Sequence, residues 1–231
     1  MIGWYLLGSL AVTLLIVVQQ GAHYLVARAY GMRVIRVHLG LGPLLLRVAP
    51  VDGYLCLTTA SGARSLRLRP HDPARHGTAV LELALIPLLG HIEIAGLSPF
   101  EPVDPHDPGS YANGSLQARA ATLASGPLAN YLLAAVLFFF AFVGGGRTVA
   151  DEHVSVGSGE ALVLAVEAPP RVVAELLAGI AGGRASSKGF AGIGSRPGWP
   201  ERLHLLATLS ACFGAANLVS LLLARRAQRG R

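Results

Sequence analysis

The sequence predicts an α-helical multi-pass membrane protein with three transmembrane helices. It also predicts a small membrane-associated β region in the first loop and amphipathic helices in the second. Two observations carry this prediction. Of the 231 residues, 52% are hydrophobic and only 14% are charged, and long apolar runs separate the polar segments. Because soluble domains carry about 25% charged residues, the composition argues against a soluble globular enzyme, a disordered chain or a disulfide scaffold.

Three apolar runs are long enough to form helices that cross a bilayer. A hydrocarbon core of about 30 Å requires about 20 apolar residues, and the runs predict spans at about 2–26, 120–143 and 203–223. A cleaved signal peptide is the alternative for the first run. It requires basic residues ahead of the apolar stretch, whereas Arg28 is the first basic residue of the chain. We therefore expect an uncleaved anchor.

The distribution of basic residues predicts the orientation of these spans. Arginines crowd the segment between the first two spans and the C-terminal tail, whereas the segment between the second and third spans is rich in carboxylates. Since basic loops stay cytoplasmic, we expect the N-terminus outside and the C-terminus in the cytoplasm, in the plasma (inner) membrane. One membrane domain over 1–231 is expected, with membrane lipid as a partner. The net charge of +6 fits this topology, so no nucleic-acid partner is expected.

The segments between the spans differ in pattern. A cytoplasmic loop at 33–96 alternates apolar and polar residues, which predicts strands. A polar linker follows at 99–114. In the outer loop, 144–202, apolar residues recur at helical spacing within 160–183. Pro169 and Pro170 are expected to divide that segment into two helical pieces, which could lie on the membrane or enter it.

The candidate chemical site lies at the inner end of the first span. Gln19 and His23 are four residues apart, on one helical face. Two histidines at this spacing, with a glutamate directly after the first, bind zinc and activate a water molecule. Here the first histidine position is Gln19 and the glutamate position is Gln20.

A series of short motifs accompanies this site along the chain. Gly126–Asn130 reads Gly-Pro-Leu-Ala-Asn. In this order the motifs resemble those of the site-2 protease family of intramembrane zinc metalloproteases. The resemblance implies a cleft for transmembrane segments, in which Asn130 and Asn217 would bind substrate. The other matching segments are Tyr24–Arg28 with Gly31, Gly40–Pro43, Ile86–Gly96, Ser98–Glu101, Gly183–Ile193 and Asn217–Val219.

The chain departs from the family's motif at the positions that bind the metal and activate the water. Against the HExxH motif, the first ligand position is Gln19, the general-base position is Gln20, and only His23 remains as a ligand. The aspartate of the family's Leu-Asp-Gly motif would fall near Arg225, and no Asp or Glu follows Glu201. A catalytic zinc needs three protein ligands and a water, and a glutamine amide cannot accept the proton. The resemblance therefore predicts inactive, metal-free positions.

Three functions remain open from the sequence. The first is a catalytically inactive homologue that binds transmembrane segments of a client or a partner membrane protein, with no cofactor. The second is an active intramembrane zinc metalloendopeptidase with an atypical ligand set, which would use Zn²⁺. The third is a non-enzymatic membrane assembly or anchoring subunit that shares only the fold.

Each candidate residue also has a purely structural interpretation. His23 could be hydrogen-bonded to Gln19 or to a facing helix, and Asn130 could hold two helices together. His91 and Glu93 lie two apart on one predicted strand face and form a weak candidate metal pair, because a third ligand is not visible.

Overall fold

The computed structural model describes residues 2–59, 65–72, 77–98, 102–149, 152–181 and 198–229. The motif residues 99–101 and 183–193 therefore lie outside the described part of the chain. The chain divides into two compact units, Met1–Gly126 and Pro127–Arg231. The expectation of a single domain over 1–231, with its predicted boundaries, stays a prediction.

The first unit combines a long helix with a four-stranded antiparallel sheet, in the order β3-β2-β1-β4. A second long helix begins in this unit and continues into the next. In chain order the elements are α1 (Ile2–Ala29), β1 (Val34–Val51), β2 (Tyr54–Thr59), β3 (Ser65–Pro70), β4 (Val80–Ile94) and α2 (Leu116–Gly145).

The second unit is built from helices and one short hairpin. Its core is a cluster of buried, mostly small side chains: Ala134, Phe138, Ala165, Ala168, Ala207 and Ala211. Alanines at these positions let helix backbones approach closely. After α2, the elements are β5 (Arg147–Val149), β6 (Glu152–Val154), α3 (Ser158–Ala181) and α4 (Trp199–Arg229).

This architecture corrects the predicted fold class. In the described residues, four long helices accompany six strands in two antiparallel sheets. Two helical segments there, Leu116–Gly145 and Trp199–Ser220, are long and apolar enough to cross a membrane. The prediction of an α-helical multi-pass protein with three transmembrane helices is therefore wrong, and the chain is a mixed α and β protein. All three apolar runs are helical, but the prediction underestimated the strands, since β1 and β4 extend over 18 and 15 residues of the first unit.

Glycines allow β1 to bend sharply across β4. Gly40 and Gly42 have positive φ values of 108° and 85°, a conformation that side-chain-bearing residues rarely adopt. A Cβ on Gly40 would also lie 3.0 Å from the Ile86 carbonyl oxygen. As a result, residues 37–39 pair with residues 90–92 and with residues 81–83. The apolar face of this region packs with α1 in one buried cluster.

The proline pair does not divide the helix in the second unit. Pro169 and Pro170 lie inside the continuous helix α3, so the expected break between two helical pieces is wrong. Proline already has a helical φ, and its cost is the lost N–H and crowding of the preceding turn. Ala165 and Ala168 pack in the buried cluster next to the pair, and we attribute the continuity of α3 to this packing.

Candidate functional site

Helix α1 places the three predicted site residues near its C-terminal end. Gln19 and Gln20 are buried, with 8% and 6% of their surface exposed, and His23 is partly buried. Burial of two amides costs free energy unless their polar atoms find partners. The identity of those partners therefore decides what the site can do.

The His23 ring is anchored to the backbone of α2. Its Nδ1 lies 2.7 Å from the Thr122 carbonyl oxygen, which can only accept, so Nδ1 carries the proton. The Ser125 hydroxyl donates to the same carbonyl at 2.7 Å and lies 3.2 Å from Nδ1. Because the serine proton is directed to the carbonyl, the two side chains do not form a nucleophile–base pair. In the neutral ring the lone pair is then on Nε2.

That second nitrogen lies against the main chain of α2. A Cβ added to Gly126 would overlap His23 Nε2 and would come within 2.8 Å of Cδ2 and Cε1. Glycine at position 126 is therefore a steric requirement of the histidine. The atom that would bind a metal in the family's motif is packed over a backbone.

Gln20 joins α1 to the last strand of the sheet. Its Nε2 donates to the Gly90 carbonyl oxygen at 3.0 Å. A Cβ on Gly90 would lie 2.7 Å from Ile16 Cγ2 and 3.2 Å from Gln20 Cγ, so glycine permits this close approach. The buried Gln20 Oε1 has no hydrogen-bond partner among the described residues. The amide therefore acts as a donor, a role that an ionised glutamate cannot fill.

The residues at this site do not fit a catalytic zinc. Such a zinc takes three protein ligands from imidazole, thiolate or carboxylate groups, plus a water. Within the described ranges, no cluster of three His, Cys, Asp or Glu side chains could hold a metal ion. Of the three motif residues, His23 carries an imidazole, whereas Gln19 and Gln20 carry amides.

The candidate pair His91 and Glu93 belongs to a row of ion pairs on the sheet. The two side chains are 3.4 Å apart, and Arg36 Nε lies 3.5 Å from Glu93. The His91 ring lies tilted against the His38 ring, with the centroids 5.2 Å apart. The Nδ1 of His38 is 3.2 Å from Glu82. A guanidinium beside the carboxylate repels a cation, so this pair also fails as a metal site.

Glu82 is the centre of that row, and sequence reasoning missed it. Its side chain is only 10% exposed and is approached by Arg36 at 3.4 Å and Arg47 at 3.7 Å. The pairing register places His38 and Arg47 both opposite Glu82. The sequence shows part of the row, since Arg36 and His38 alternate on one strand and His91 and Glu93 on another. Strand pairing was needed to bring Glu82 beside them.

The two predicted substrate-binding asparagines lie in the second unit. Asn130 is fully buried, and its backbone carbonyl accepts a hydrogen bond from Ser210 Oγ at 2.8 Å. Asn217 donates from Nδ2 to the Phe213 carbonyl oxygen at 2.9 Å, within its own helix. Position Arg225 is helical, but its side chain lies outside what the structure describes. Their substrate roles stay predictions.

A bent antiparallel sheet beside a helix that carries a degenerate metal motif defines the class of protein: a metalloprotease-like scaffold. Comparison with protein families agrees. The model of peptidase family M50 matches residues 7–222. The chain therefore belongs to peptidase family M50, the site-2 protease family, which is membrane-associated, and the resemblance seen in the sequence is confirmed.

Three curated relatives are named zinc metalloproteases. One from Rhizobium meliloti is 33% identical over 62% of this chain, and one from Agrobacterium fabrum is 29% identical over 63%. One from Chlamydia trachomatis is 26% identical over 66%. The matched region spans 34%, 35% and 22% of those relatives, respectively. What the relatives do as whole proteins therefore reaches this chain only as a proposal.

Proposed function

We propose that this protein is a non-hydrolytic member of peptidase family M50 that binds transmembrane or extended segments of a client or partner membrane protein. The observation that carries the proposal is the hydrogen bond from the Gln20 amide to the Gly90 carbonyl oxygen. The residue at the general-base position has a structural role that depends on its being a donor.

The chemistry of the neighbouring positions supports the same conclusion. Water attack on a peptide bond requires a group that accepts a proton, and an amide nitrogen does not. A metal would require His23 Nε2 to leave its contact with Gly126. It would also require at least two further ligands. On this proposal the protein has the family's scaffold but does not hydrolyse peptide bonds.

Binding of a client segment needs neither a general base nor a metal. The outer strands of the four-stranded sheet are β3 and β4, and an extended segment can add to an outer strand through backbone hydrogen bonds. Residues 81–83 of β4 already pair with two parts of β1, so the segment would add along residues 90–94. Strand β4 also holds Gly90, the acceptor of the Gln20 amide. A client segment added to β4 would therefore lie beside the degenerate motif. Two apolar helices support a membrane location for this interaction.

The names of the relatives favour a second candidate function, an active zinc metalloendopeptidase with an atypical ligand set. Metal analysis and a cleavage assay decide between the two. We expect the purified full chain to hold far less than one zinc per chain and to leave a fluorescent transmembrane model substrate intact. One zinc per chain, lost in His23→Ala together with chelator-sensitive cleavage, would establish the active enzyme.

Binding itself is tested with a photo-reactive amino acid. Placed at His91, whose side chain is 59% exposed on β4, it should cross-link a defined transmembrane peptide. The same group at exposed Glu175 on α3 is the matched control and should give background yield. Equal yields at both positions would refute a binding edge at β4. A fixed partner that is retained in a Gln20→Ala, His23→Ala double variant, without peptide binding, would indicate an assembly subunit.

A further inference from the structure

The first unit contains a cavity with a volume of about 400 Å³, where α1 ends and strands β1 and β4 begin. Cavities of about 300–1,000 Å³ are typical of small-molecule sites. The residues that line it include Arg28, Met32, Arg33, Gly77 and Thr78. Among the lining residues in the described ranges there is no Asp or Glu. This wall therefore presents two positive charges to a ligand and no negative charge of its own.

The two guanidinium groups in this wall indicate the chemistry of the ligand. Arginine presents its N–H donors in a planar fork that matches the oxygens of a phosphate group. We propose that the cavity binds a phosphate group, carried by an anionic phospholipid headgroup or present as a free phosphate ion, and we call it the phosphate cavity. Neither Gln20 nor residues 90–94 line it. Phosphate binding is therefore separate from the client binding proposed above.

Contacts within the first unit hold the Arg28 guanidinium at the cavity wall. Its Nη1 lies 3.4 Å from the Tyr24 hydroxyl, and its Cζ lies 5.9 Å from the centre of the Tyr24 ring. On the other strand of the wall, a Cβ added to Gly77 would overlap Nη1. Gly77 also has a φ of 73°, which favours glycine. The charge is therefore positioned before a ligand arrives, which lowers the entropic cost of binding.

The Arg33 guanidinium retains donors for a ligand although it has a carboxylate partner. Its Nη2 donates to Asp107 Oδ2 at 2.7 Å, and the other oxygen of that carboxylate accepts the Gly109 N–H at 2.9 Å. A single hydrogen bond uses one of the five N–H groups of arginine, and the Arg33 side chain is 54% exposed. A phosphate group can therefore bind Arg33 while the ion pair with Asp107 stays intact.

Two further features near the cavity favour an anion. At the end of α1, the Arg28 carbonyl accepts a hydrogen bond from the Gly31 N–H at 3.0 Å, so it is not left unpaired beside the ligand. In α2, Arg119 lies near Met32, since a Cβ built on Gly114 would lie 3.6 Å from Arg119 Cγ and 3.0 Å from Met32 Cε. The buried Nε of Arg119 has no hydrogen-bond partner among the described residues. Its charge adds to the positive potential around the cavity.

The start of α2 gives the cavity the depth of a phospholipid headgroup. In the cavity wall, Met32 Sδ accepts a hydrogen bond from Thr122 Oγ1 at 3.5 Å, and Thr122 lies within two turns of the start of α2. Helix α2 is long and apolar enough to cross a membrane, and the polar segment 102–114 precedes it. Tyr30 is 44% exposed near the same level, and tyrosine prefers the boundary between lipid and water. Basic pockets at such a boundary bind anionic headgroups.

Native mass spectrometry of the detergent-solubilised full chain tests the phosphate cavity by measuring lipid binding. The probes are dioleoylphosphatidylglycerol and dioleoylglycerol, which has the same acyl chains and no phosphate. We expect Arg28→Gln, Arg33→Gln to bind phosphatidylglycerol about tenfold more weakly than wild type, because each arginine contributes about 1 kcal/mol. Arg67→Gln, Arg69→Gln is the matched control, since it removes the same charge from exposed positions on β3. This control should bind phosphatidylglycerol as wild type does, and dioleoylglycerol should bind to none of the proteins.

A second variant and a competitor complete the test. Thr78→Phe narrows the cavity and keeps both guanidinium groups, so it should also lose phosphatidylglycerol, and it replaces the arginine variant if that variant does not fold. Inorganic phosphate that displaces the lipid at millimolar concentration would identify the free ion as a ligand, whereas retention of the lipid would identify the headgroup. Equal losses in the two arginine pairs, wild-type binding by Thr78→Phe, or equal binding of dioleoylglycerol would refute the phosphate cavity.

Discussion

The side-chain amide of Gln20 donates a hydrogen bond to the carbonyl oxygen of Gly90, 3.0 Å away and 70 residues further along the chain. This bond connects helix α1 to strand β4 at the position where an active family member would hold its general base. The amide is therefore a structural tie, and restoring a carboxylate there has a cost that can be measured.

Gln20→Glu should lower stability. An ionised glutamate would place an acceptor against the Gly90 carbonyl oxygen, and leaving buried polar groups unpaired costs about 1–3 kcal/mol. Thermal unfolding in detergent measures the change. Gln20→Met, which removes the donor without adding charge, is the control and should cost less. A Gln20→Glu variant as stable as wild type would contradict a structural role for the amide.

Gly126→Ala should be destabilising because its methyl group would overlap His23 Nε2. Overpacking of this kind costs about 1–3 kcal/mol. Truncation by His23→Ala should remove most of that cost in the double variant, and a double-mutant cycle measures the coupling. Gly21→Ala on α1 is the matched control, since among the described residues nothing beyond the local helix backbone lies within 4 Å of the added Cβ. Additive effects of Gly126→Ala and His23→Ala would refute the contact between these two residues.

Glu82→Gln should weaken the sheet. The carboxylate is 10% exposed and faces Arg36, Arg47 and His38, so its loss leaves positive groups close together. We expect a cost of about 1 kcal/mol that shrinks as salt screens the remaining repulsion. Glu93→Gln, at a side chain 41% exposed, should cost less. Equal effects of the two variants at low salt would show that Glu82 is not the centre of the row.

Gly214→Val should loosen the packing of α4 on α2 within the second unit. A Cβ at Gly214 would lie 3.0 Å from the Pro127 carbonyl oxygen and 3.2 Å from Tyr131 Cδ2. A branched side chain should therefore lower the unfolding temperature, at a cost of about 1–3 kcal/mol. Ala216→Val on the same helix lies at an exposed position and should change it little. No difference between the two variants would contradict the close helix contact.

Some features could be predicted from local residue types. The spacing of Gln19 and His23, with Gln20 at the base position, together with the order of the Gly-Pro motifs, was enough to indicate the family. These are properties of neighbouring residues, so no tertiary information was needed. The strands of the first unit were also visible as alternation, but their extent was underestimated, because local alternation does not show that β1 continues past its bend at Gly40 and pairs with β4 on both sides of it.

The sequence by itself determined which chemical groups are present: amides at the positions of a ligand and a base, and no Asp or Glu between Glu201 and Arg231. Only the tertiary structure decided what those groups bind. The acceptors of Gln20 and His23 are backbone carbonyls 70 and 99 residues away. Because every residue has a backbone carbonyl, residue types alone do not indicate which carbonyl is the acceptor. Hydrogen bonding is short-ranged, and only folding brings such distant partners within 3 Å of each other.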